Sequence, residues 1–303
     1  MDTVENYKAS RNRLFKTFGI DPQSKEIATD GPVKKVHYLE LGAGKPLILI
    51  HGGGSKSSEW LNILKPLAEH FKLYVVDRPG CGLSGSIDYR GVAFQESAVD
   101  FVQSFMDALG LKKALFLGQS MGGYFSICFA LKYPERVEKI VLIGAPAGMN
   151  LWIPYVLRLL STKGVNRFLF KTVAKPSLKN VVDIHKNILV ADVKKLSDAY
   201  IEHCYRGQLL PGYEKGFLTM LENVLTFKGW RKDLYIGDQL HELKVPVRFI
   251  WGEKDAFEKP QTGREKALAI PGQVFEVVEN SGHSPWLDEP EKCVSLIVSM
   301  LGA

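Results

Sequence analysis

The chain has 303 residues, of which 46% are apolar, 24% charged and 11% aromatic. This near-average composition allows a sizeable core and excludes disorder, collagen-like repeats and coiled coils. There is no apolar run of about eighteen residues, so we expect no membrane-spanning helix, and the start lacks the apolar region of a secretory signal. The four cysteines form no C-x-x-C pair, which argues against zinc and disulfides and favours a reducing, cytoplasmic location.

The first predicted elements are a helix and a hairpin. The segments Lys25–Asp30 and Lys34–Leu41 flank a Gly-Pro turn and predict an antiparallel pair of strands. The N-terminal helix before them is expected to pack on the body through one apolar face, made of Val4, Tyr7, Leu14, Phe15 and Phe18.

Six short apolar runs then follow, most of them separated by helix-length segments such as the amphipathic stretch from Phe94 to Leu109. Most of the runs are apolar at nearly every position, which suits strands covered on both faces. Alternating strand and helix signals predict a mostly parallel sheet of crossover units, and therefore an α/β fold. The runs are Leu47–Ile50, Leu73–Val76, Ala114–Leu117, Ile140–Ile143, Val247–Trp251 and Val274–Val278.

The alternation stops after Ile143 and strand signals resume only at Val245. An all-helical insertion between two strands of one sheet is more economical than two independent domains. We therefore predict a core of residues 1–145 and 239–303 with a helical cap of residues 146–238. The predicted cap helices are Trp152–Leu160, Val165–Val173, Ser177–Leu189, Val193–Tyr205 and Tyr213–Phe227.

The net charge of +6 also belongs to the cap. Residues 151–235 contain fourteen Lys and Arg against seven Asp and Glu, so the rest of the chain is close to neutral. Three readings stay open: steering of an anionic substrate, contact with an acidic surface, or a solvated lysine-rich surface.

The strongest motif is GQSMGG at residues 118–123, which follows the strand Ala114–Leu117 and opens a helix from Ser120 to Lys132. This strand–turn–helix setting is typical of a nucleophile elbow. The sharp turn needs glycine two residues before and after the serine, and Gly118 and Gly122 occupy these positions. The alternative is a glycine-rich helix start with a capping serine.

A serine nucleophile needs a base, and the base needs an acid that orients it. His283 lies in the loop after the last strand, where it could overhang the strand ends. Asp255 follows the strand Val247–Trp251 directly, with Glu253 as the near alternative. The order Ser120, Asp255, His283 matches one known triad arrangement.

The string HGGG at residues 51–54 follows another strand and suits a close backbone approach to a substrate oxygen. We predict the N–H groups of Gly53 and Met121 as the two oxyanion donors, with Gly54 as the alternative to Gly53. His51 is expected to brace this loop by hydrogen bonds rather than to transfer protons.

A G-x-G-x-x-G string at Gly80, Gly82 and Gly85 lacks the context of a nucleotide site. Pro79 precedes it, the helix that should open at once is interrupted at residues 90–91, and no Walker lysine follows. We therefore predict a structural turn there, and no cofactor or metal.

Together these residues resemble the α/β-hydrolase fold family. The match runs through HGGG, DRPGCGLSG, GQSMGG, GEKDAF and NSGHSPWLDEP in family order. The resemblance implies an eight-stranded sheet with a helical cap after strand six, Ser120, Asp255 and His283 as triad, and Gly53 and Met121 as oxyanion donors. It argues against epoxide hydrolases and haloalkane dehalogenases, which have an aspartate nucleophile.

Within the family, the cap length and YPERVEKIVLIGAPAG are similar to the meta-cleavage-product hydrolases, which cleave carbon–carbon bonds. Those enzymes have Asn where this chain has Gln119 and Trp where it has Ser284. Arg206 could match their substrate-carboxylate arginine, and Gly54 and Trp286 are further candidates for substrate binding.

We therefore rank hydrolysis of a small to medium, apolar carboxylic ester above carbon–carbon cleavage. A slow-hydrolysing small-molecule receptor on the same fold is a third hypothesis. The expected partner is a small-molecule substrate, not nucleic acid and not an integral membrane segment, and a homodimer stays open.

Overall fold

The computed structural model describes residues 3–302, so residues 1, 2 and 303 of the predicted core lie outside the described residues. Its centre is an eight-stranded sheet in the order β1-β2-β4-β3-β5-β6-β9-β10. The first two pairings, β1 with β2 and β2 with β4, are antiparallel and the others parallel, which confirms the opening hairpin and the mostly parallel sheet. The strands are β1 Gln23–Ala28, β2 Lys35–Leu41, β3 Lys45–Ile50, β4 Phe71–Val76, β5 Ala114–Gln119, β6 Val137–Ile143, β9 Val247–Gly252 and β10 Val274–Val278, with β7 Leu225–Thr226 and β8 Gly229–Trp230 as a separate small hairpin.

Twelve α-helices are assigned within residues 3–302. They are α1 Thr3–Thr17, α2 Leu61–Ala68, α3 Phe94–Ala108, α4 Met121–Lys132, α5 Tyr155–Leu160, α6 Val165–Lys171, α7 Leu178–Ile184, α8 Asp198–Gln208, α9 Tyr213–Val224, α10 Pro260–Ala267, α11 Pro285–Asp288 and α12 Pro290–Leu301. Short 3₁₀ or π turns lie at Ser57–Trp60, Pro134–Arg136, His185–Leu189, Val193–Lys195, Lys232–Leu234 and Gly237–Glu242. Within the same residues, no helix combines the length and apolar character that crossing a bilayer requires.

Burial on both faces of the sheet explains its continuous apolar strands. In β3, Ile48 and Ile50 join one core cluster with α3 and α4, whereas Leu47 and Leu49 join a second cluster with α2 and α12. All four side chains are fully buried, because successive side chains of a strand point to opposite faces and both faces are covered by helices.

The cap segment differs from the sequence prediction in detail. The predicted helix from Val193 begins only at Asp198, because the Ser197 side chain accepts the N–H of Tyr200 and caps the helix there. The last cap helix ends at Val224, and Phe227 lies in the β7–β8 hairpin instead. In α1, the predicted contact residue Phe18 follows the helix end and is exposed.

Five helices and the small hairpin lie between β6 and β9, at the place predicted for the cap. We use "cap" for residues 146–238, and the division into a core and a cap domain stays a prediction. The N-terminal helix α1 packs against α8 of the cap. Because the ring of Tyr7 stacks on that of His203 at 4.9 Å and its hydroxyl lies 3.3 Å from Ser58 Oγ, α1 joins the cap to the core.

Candidate active site

The predicted nucleophile lies on a strained turn between β5 and α4. Ser120 has φ 50° and ψ −111°, a left-handed conformation that is costly for a residue with a side chain. A Cβ on Gly122 would overlap with the carbonyl of Ile50, and one on Gly118 would lie 2.8 Å from the Gly122 carbonyl oxygen. The turn therefore tolerates only glycine at these two positions, as the motif indicated.

His283 and Asp255 form a buried pair. Nδ1 of His283 lies 2.8 Å and 3.0 Å from the two carboxylate oxygens of Asp255, and both side chains are almost inaccessible to water. Because an ionised carboxylate can only accept, Nδ1 carries a proton, and in the neutral tautomer with this proton Nε2 has the free lone pair. Within residues 3–302, Nε2 is buried and has no hydrogen-bond partner. The alternative acid Glu253 instead accepts the N–H of Asn280 at 2.9 Å.

The segment after β6, residues 144–147, contacts the surroundings of all three predicted triad residues. The Ala145 N–H donates to Asp255 Oδ2 at 2.9 Å, and the Ala147 N–H donates to the Ser120 carbonyl at 3.0 Å. Gly144, at φ 70°, lies so close to the His283 carbonyl that a Cβ there would overlap with it. No role was predicted for this segment from the sequence, although its glycine directly after a strand was a usable signal.

Phe257 supports the same pair from the other side. Its N–H donates to Asp255 Oδ1 at 2.9 Å, and its ring centroid lies 4.2 Å from that of His283. The Phe257 carbonyl in turn accepts the side-chain amide of Asn150 at 2.9 Å. Each Asp255 oxygen thus accepts one backbone N–H in addition to the imidazole, which fixes the carboxylate. Nothing in the sequence pattern singled out Phe257.

The glycine loop lies beside the nucleophile because β3 and β5 are neighbours, with Ile50 opposite Gly118 in the register. A Cβ on Gly52 would overlap with the Gln119 side chain, so the loop and the elbow are in direct contact. Gly53 is exposed, whereas Met121, the other predicted oxyanion donor, is buried. The neighbouring strand ends therefore carry both predicted donors.

The loop is held from behind by a buried arginine. Arg78 is fully buried and forms no ion pair within residues 3–302; its Nε donates to the His51 carbonyl at 2.9 Å and its Nη2 to the Gly52 carbonyl at 2.6 Å. The guanidinium also lies over the ring of Phe125 at 5.3 Å. From the sequence, Arg78 was predicted only as part of a structural turn, because burial of an arginine has no local sequence signal.

His51 completes this support. Its Nε2 accepts the backbone N–H of Arg78 at 3.0 Å, so its Nδ1 carries the proton and donates to the Gly52 carbonyl at 2.9 Å. Burial and, to a lesser degree, the nearby Arg78 charge lower the pKa of His51 to about 3. The imidazole is therefore neutral, and its predicted bracing role is confirmed.

The cap covers this loop with helix α9. The hydroxyl of Tyr213 donates to the Gly54 carbonyl at 3.3 Å, and Met220 Cε lies 3.5 Å from where a Gly53 Cβ would be. Gly54 has φ 68°, and a Cβ added to it would lie 3.0 Å from the ring of Phe217. Apolar cap side chains thus line the loop predicted to bind the substrate oxygen.

Two predicted substrate-binding residues are engaged elsewhere. The Trp286 ring is buried, stacks on Trp60 at 4.4 Å, and donates its Nε1–H to the Glu59 carbonyl at 3.0 Å. Arg206 pairs with Glu202 on α8 at 3.0 Å, and Glu202 also binds Arg13 at 3.2 Å. Packing and hydrogen bonding thus engage Trp286, and ion pairing engages Arg206, with partners other than Ser120. No cluster of three metal-ligating side chains lies within residues 3–302.

The chain is similar to known proteins in sequence and in fold. Residues 45–290 match the family model described as alpha/beta hydrolase fold. The chain is 30% identical over 307 residues to a 2-hydroxy-6-oxononadienedioate/2-hydroxy-6-oxononatrienedioate hydrolase of Paraburkholderia phymatum, covering 99% of each chain. A hydrolase of the same name from Escherichia coli K12 is 29% identical over 279 residues, covering 89% of this chain and 92% of the relative.

Solved structures share the fold at lower identity. Carboxylesterase CesB (YbfK) from Bacillus subtilis superposes with a TM-score of 0.79 at 22% identity, covering 100% of this chain and 99% of the other. The meta-cleavage product hydrolase CumD from Pseudomonas fluorescens IP01 gives 0.72 at 21% identity, covering 91% and 96%. With its eight-stranded, mostly parallel sheet and its match over residues 45–290, the chain belongs to the α/β-hydrolase fold family and is a hydrolase.

Proposed function

We propose that the chain hydrolyses a carboxylic ester through an acyl-enzyme on Ser120. The observation that carries the proposal is the state of His283: Asp255 holds its Nδ1 and its buried Nε2 is left without a partner in residues 3–302. A base of this kind can take the proton of a serine hydroxyl. The strained elbow at Ser120 and the shared contacts of residues 144–147 support the same assignment.

The proposed reaction proceeds in two halves. Ser120 Oγ attacks the ester carbonyl while its proton passes to His283 Nε2. The oxyanion that forms accepts hydrogen bonds from the N–H groups of Gly53 and Met121. The C–O bond to the alcohol then breaks, and His283 gives the proton to the leaving oxygen. Water repeats the sequence on the acyl-enzyme: His283 takes its proton, the acid is released and Ser120 regains its proton.

The charges near the site favour a neutral, apolar substrate. Three cations lie near the loop or on the cap helix α8, and each already has partners: Arg78 holds backbone carbonyls, Lys56 pairs with Glu59 at 2.6 Å, and Arg206 pairs with Glu202. A cation that already has partners gains little by exchanging them for a substrate carboxylate, whether it is buried, as Arg78 and Lys56 are, or partly exposed, as Arg206 is. The apolar side chains Met220 and Phe217 above the glycine loop suit an apolar acyl group instead.

Carbon–carbon cleavage is the second candidate, because the relative that is 30% identical over its whole length is named as a dienedioate hydrolase. The elbow, base and oxyanion donors would serve either bond. The two candidates differ in substrate charge, since a dienedioate brings two carboxylates and the proposed ester brings none.

The experiment compares both substrates with three proteins: the native chain, Ser120→Ala and Ser126→Ala. Ser126 is a buried serine on the same helix that donates to the Gly122 carbonyl, and it serves as the matched control. We expect the native chain and Ser126→Ala to turn over p-nitrophenyl butyrate many times, and Ser120→Ala to lose at least about 10⁴-fold in kcat. Full activity of Ser120→Ala would refute the proposed nucleophile.

The dienedioate arm decides between the bonds. A kcat/KM at least about tenfold higher for the ester than for a 2-hydroxy-6-oxodienedioate supports ester hydrolysis. The reverse ratio, with the same loss in Ser120→Ala, replaces it by carbon–carbon cleavage. Release of one equivalent of product with no further turnover would contradict both proposed hydrolytic reactions and indicate a receptor.

A further inference from the structure

The cap carries an unusual concentration of exposed apolar side chains. Of the thirteen large apolar residues that are exposed within residues 3–302, ten lie in the cap and three elsewhere. Six of the ten lie before or on α5, on α6 or in the β7–β8 hairpin, and we call them the cap patch: Leu151, Trp152, Tyr155, Val156, Phe168 and Phe227. Phe168 is 67% exposed and Phe227 57%, which is unusual for side chains of this size.

The members of the cap patch are held together by contacts. The Tyr155 and Phe227 rings meet edge to face at 5.9 Å, and the Leu151 carbonyl accepts the N–H of Trp230 at 3.0 Å, which places the β7–β8 hairpin beside the segment. Helix α6, which carries Phe168, packs against α5, which carries Tyr155. Two members of the patch are thus in contact, and the elements that carry the others pack beside them, so we treat the six residues as one region of the cap surface.

The same segment is strongly basic. Residues 151–182 contain six Lys and Arg and no Asp or Glu. The cap residues that form ion pairs within residues 3–302 are Lys195, Glu202, Arg206, Lys215, Arg231 and Asp233, so none of the six basic residues is paired with a carboxylate there. The six are Arg158, Lys163, Arg167, Lys171, Lys175 and Lys179.

We propose that the cap patch and its six basic residues dock the protein on the surface of an anionic lipid bilayer. Aromatic and aliphatic side chains flanked by Lys and Arg are the composition of an interfacial membrane contact, where apolar groups enter the headgroup boundary and cations bind anionic lipids. No spanning segment is needed for this mode. The inference holds whichever bond Ser120 cleaves.

Two other occupants fit the surface less well. A symmetric dimer through the patch would bring the same six cations of two copies together without an acidic partner, which is unfavourable. Nucleic acid would use the cations and stack on the aromatic rings, but Val156, Val165 and Val173 are exposed aliphatic side chains without a π-face. Lipid is the partner that satisfies both the cations and the aliphatic groups.

The docking surface begins close to the predicted catalytic residues. The Asn150 side chain accepts the N–H of Trp152 at 3.0 Å and donates to the Phe257 carbonyl at 2.9 Å, and the Phe257 ring packs on His283. The first residues of the patch are thus joined to the His283 support by a single side chain. Docking at this surface would hold the cap side of the site against the lipid.

The test is co-sedimentation of the full chain with vesicles of phosphatidylcholine alone and of phosphatidylcholine containing phosphatidylglycerol. We expect binding only to the anionic vesicles, weakening as salt is added. The charge variant Arg167→Gln/Lys171→Gln/Lys175→Gln should bind about a hundredfold more weakly. The matched control is Lys112→Gln/Lys113→Gln/Lys244→Gln, which removes three exposed cations outside the cap. Its vesicle affinity should stay within about twofold of that of the native chain.

The apolar part has its own pair of variants. Phe168→Gln should weaken binding to anionic vesicles about tenfold. Leu268→Gln should not, although Leu268, which lies outside the cap, is equally exposed. We expect every variant to keep the thermal melting temperature of the native chain, which would show that it is folded without reference to the bond that the protein cleaves. The proposal is overturned if the native chain does not bind anionic vesicles or if the two charge variants lose binding equally. It is also overturned if a duplex oligonucleotide binds more tightly than the vesicles, or if Phe168→Gln converts a native dimer to a monomer.

Discussion

The backbone N–H of Ala145 donates to Oδ2 of Asp255 at 2.9 Å across 110 residues of sequence. The Ala145 N–H binds one carboxylate oxygen and the Phe257 N–H binds the other, while His283 Nδ1 lies within hydrogen-bond distance of both. The carboxylate is thus held in one orientation by the backbone that follows β6 and the loop that follows β9. In the proposed triad, the orientation of His283 therefore depends on a carboxylate that two backbone N–H groups hold.

Asp255→Asn is expected to lower kcat on a p-nitrophenyl ester by about 10⁴-fold. The amide would place an NH₂ group opposite one of the two backbone N–H donors or opposite His283 Nδ1, and it would favour the wrong imidazole tautomer. The matched control is Glu253→Gln, which keeps an acceptor for the Asn280 N–H and should retain activity within about twofold. Equal losses in the two variants would contradict the choice of Asp255 as the orienting acid.

Arg78→Met is expected to lower kcat by about 10²-fold or more with little change in KM. Without the guanidinium, the His51 carbonyl loses its Nε donor and the Gly52 carbonyl keeps only its local donors such as His51 Nδ1, so the glycine loop is held less firmly. Arg78→Lys keeps a charge but offers no planar fork, so it should fall between the native chain and Arg78→Met. Steady-state kinetics and a thermal melt of each variant separate misplacement of the loop from unfolding, and a rise in KM with unchanged kcat would contradict a positioning role.

The free energy of unfolding should decrease as the pH is lowered from 7 to 5. Burial lowers the pKa of His51 to about 3 and holds that of His203 well below its usual value, 6.5 in the unfolded chain. The unfolded chain therefore binds more protons in this range, so stability is complete above pH 6.5 and is lost below it, by up to about 1.4 kcal/mol per pH unit for each group. Urea unfolding at several pH values measures the slope.

The variant His203→Gln should reduce the slope of the unfolding free energy against pH by the contribution of one proton, up to about 1.4 kcal/mol per pH unit. It removes one buried imidazole, which lies between Ser10 and Ser58. The control His241→Gln changes an exposed residue and should leave the slope unchanged. An unaltered slope in His203→Gln would show that the acid sensitivity has another source.

Trp286→Ala should destabilise the fold by about 3–5 kcal/mol while leaving the KM for a small ester unchanged in the folded fraction. The indole is packed face to face with Trp60 and bonded to the Glu59 carbonyl, so its loss leaves a cavity. Calorimetry and kinetics at low temperature give the two quantities. A several-fold rise in KM with an unchanged melting temperature would instead restore the substrate-binding role expected from the sequence.

Local patterns predicted the strands of the sheet and the sharp turn at Ser120. Continuous apolar runs such as Leu47–Ile50 lie within strands because both faces of the sheet are buried, a condition visible in the run itself. The elbow was equally readable, since the close approach of Gly122 to Ile50 demands glycine at that position. The start of α8 was predicted too early because the periodic signal extends across Ser197, whose capping bond determines the boundary.

The substrate-binding candidates were harder to predict. Arg206 is a candidate because it could match the substrate-carboxylate arginine of the meta-cleavage-product hydrolases, and Trp286 because it lies near His283 in the sequence, but an arginine or a tryptophan has several equally suitable partners in a folded protein. Glu202 and Trp60 are those partners in this chain. Conversely, Arg78 has the type of a surface residue and lies fully buried behind the glycine loop.

The composition, the alternation of strands and helices and the order of the motifs by themselves determined a hydrolase-like α/β chain with a basic helical insertion, because these features depend on local periodicity and turn chemistry. Only the tertiary structure decided how the candidate site is held, through Ala145 on Asp255 and Arg78 on the His51 and Gly52 carbonyls. It alone also showed that the basic excess adjoins an exposed apolar patch. Contacts between distant segments depend on how whole elements pack, and no local pattern records them.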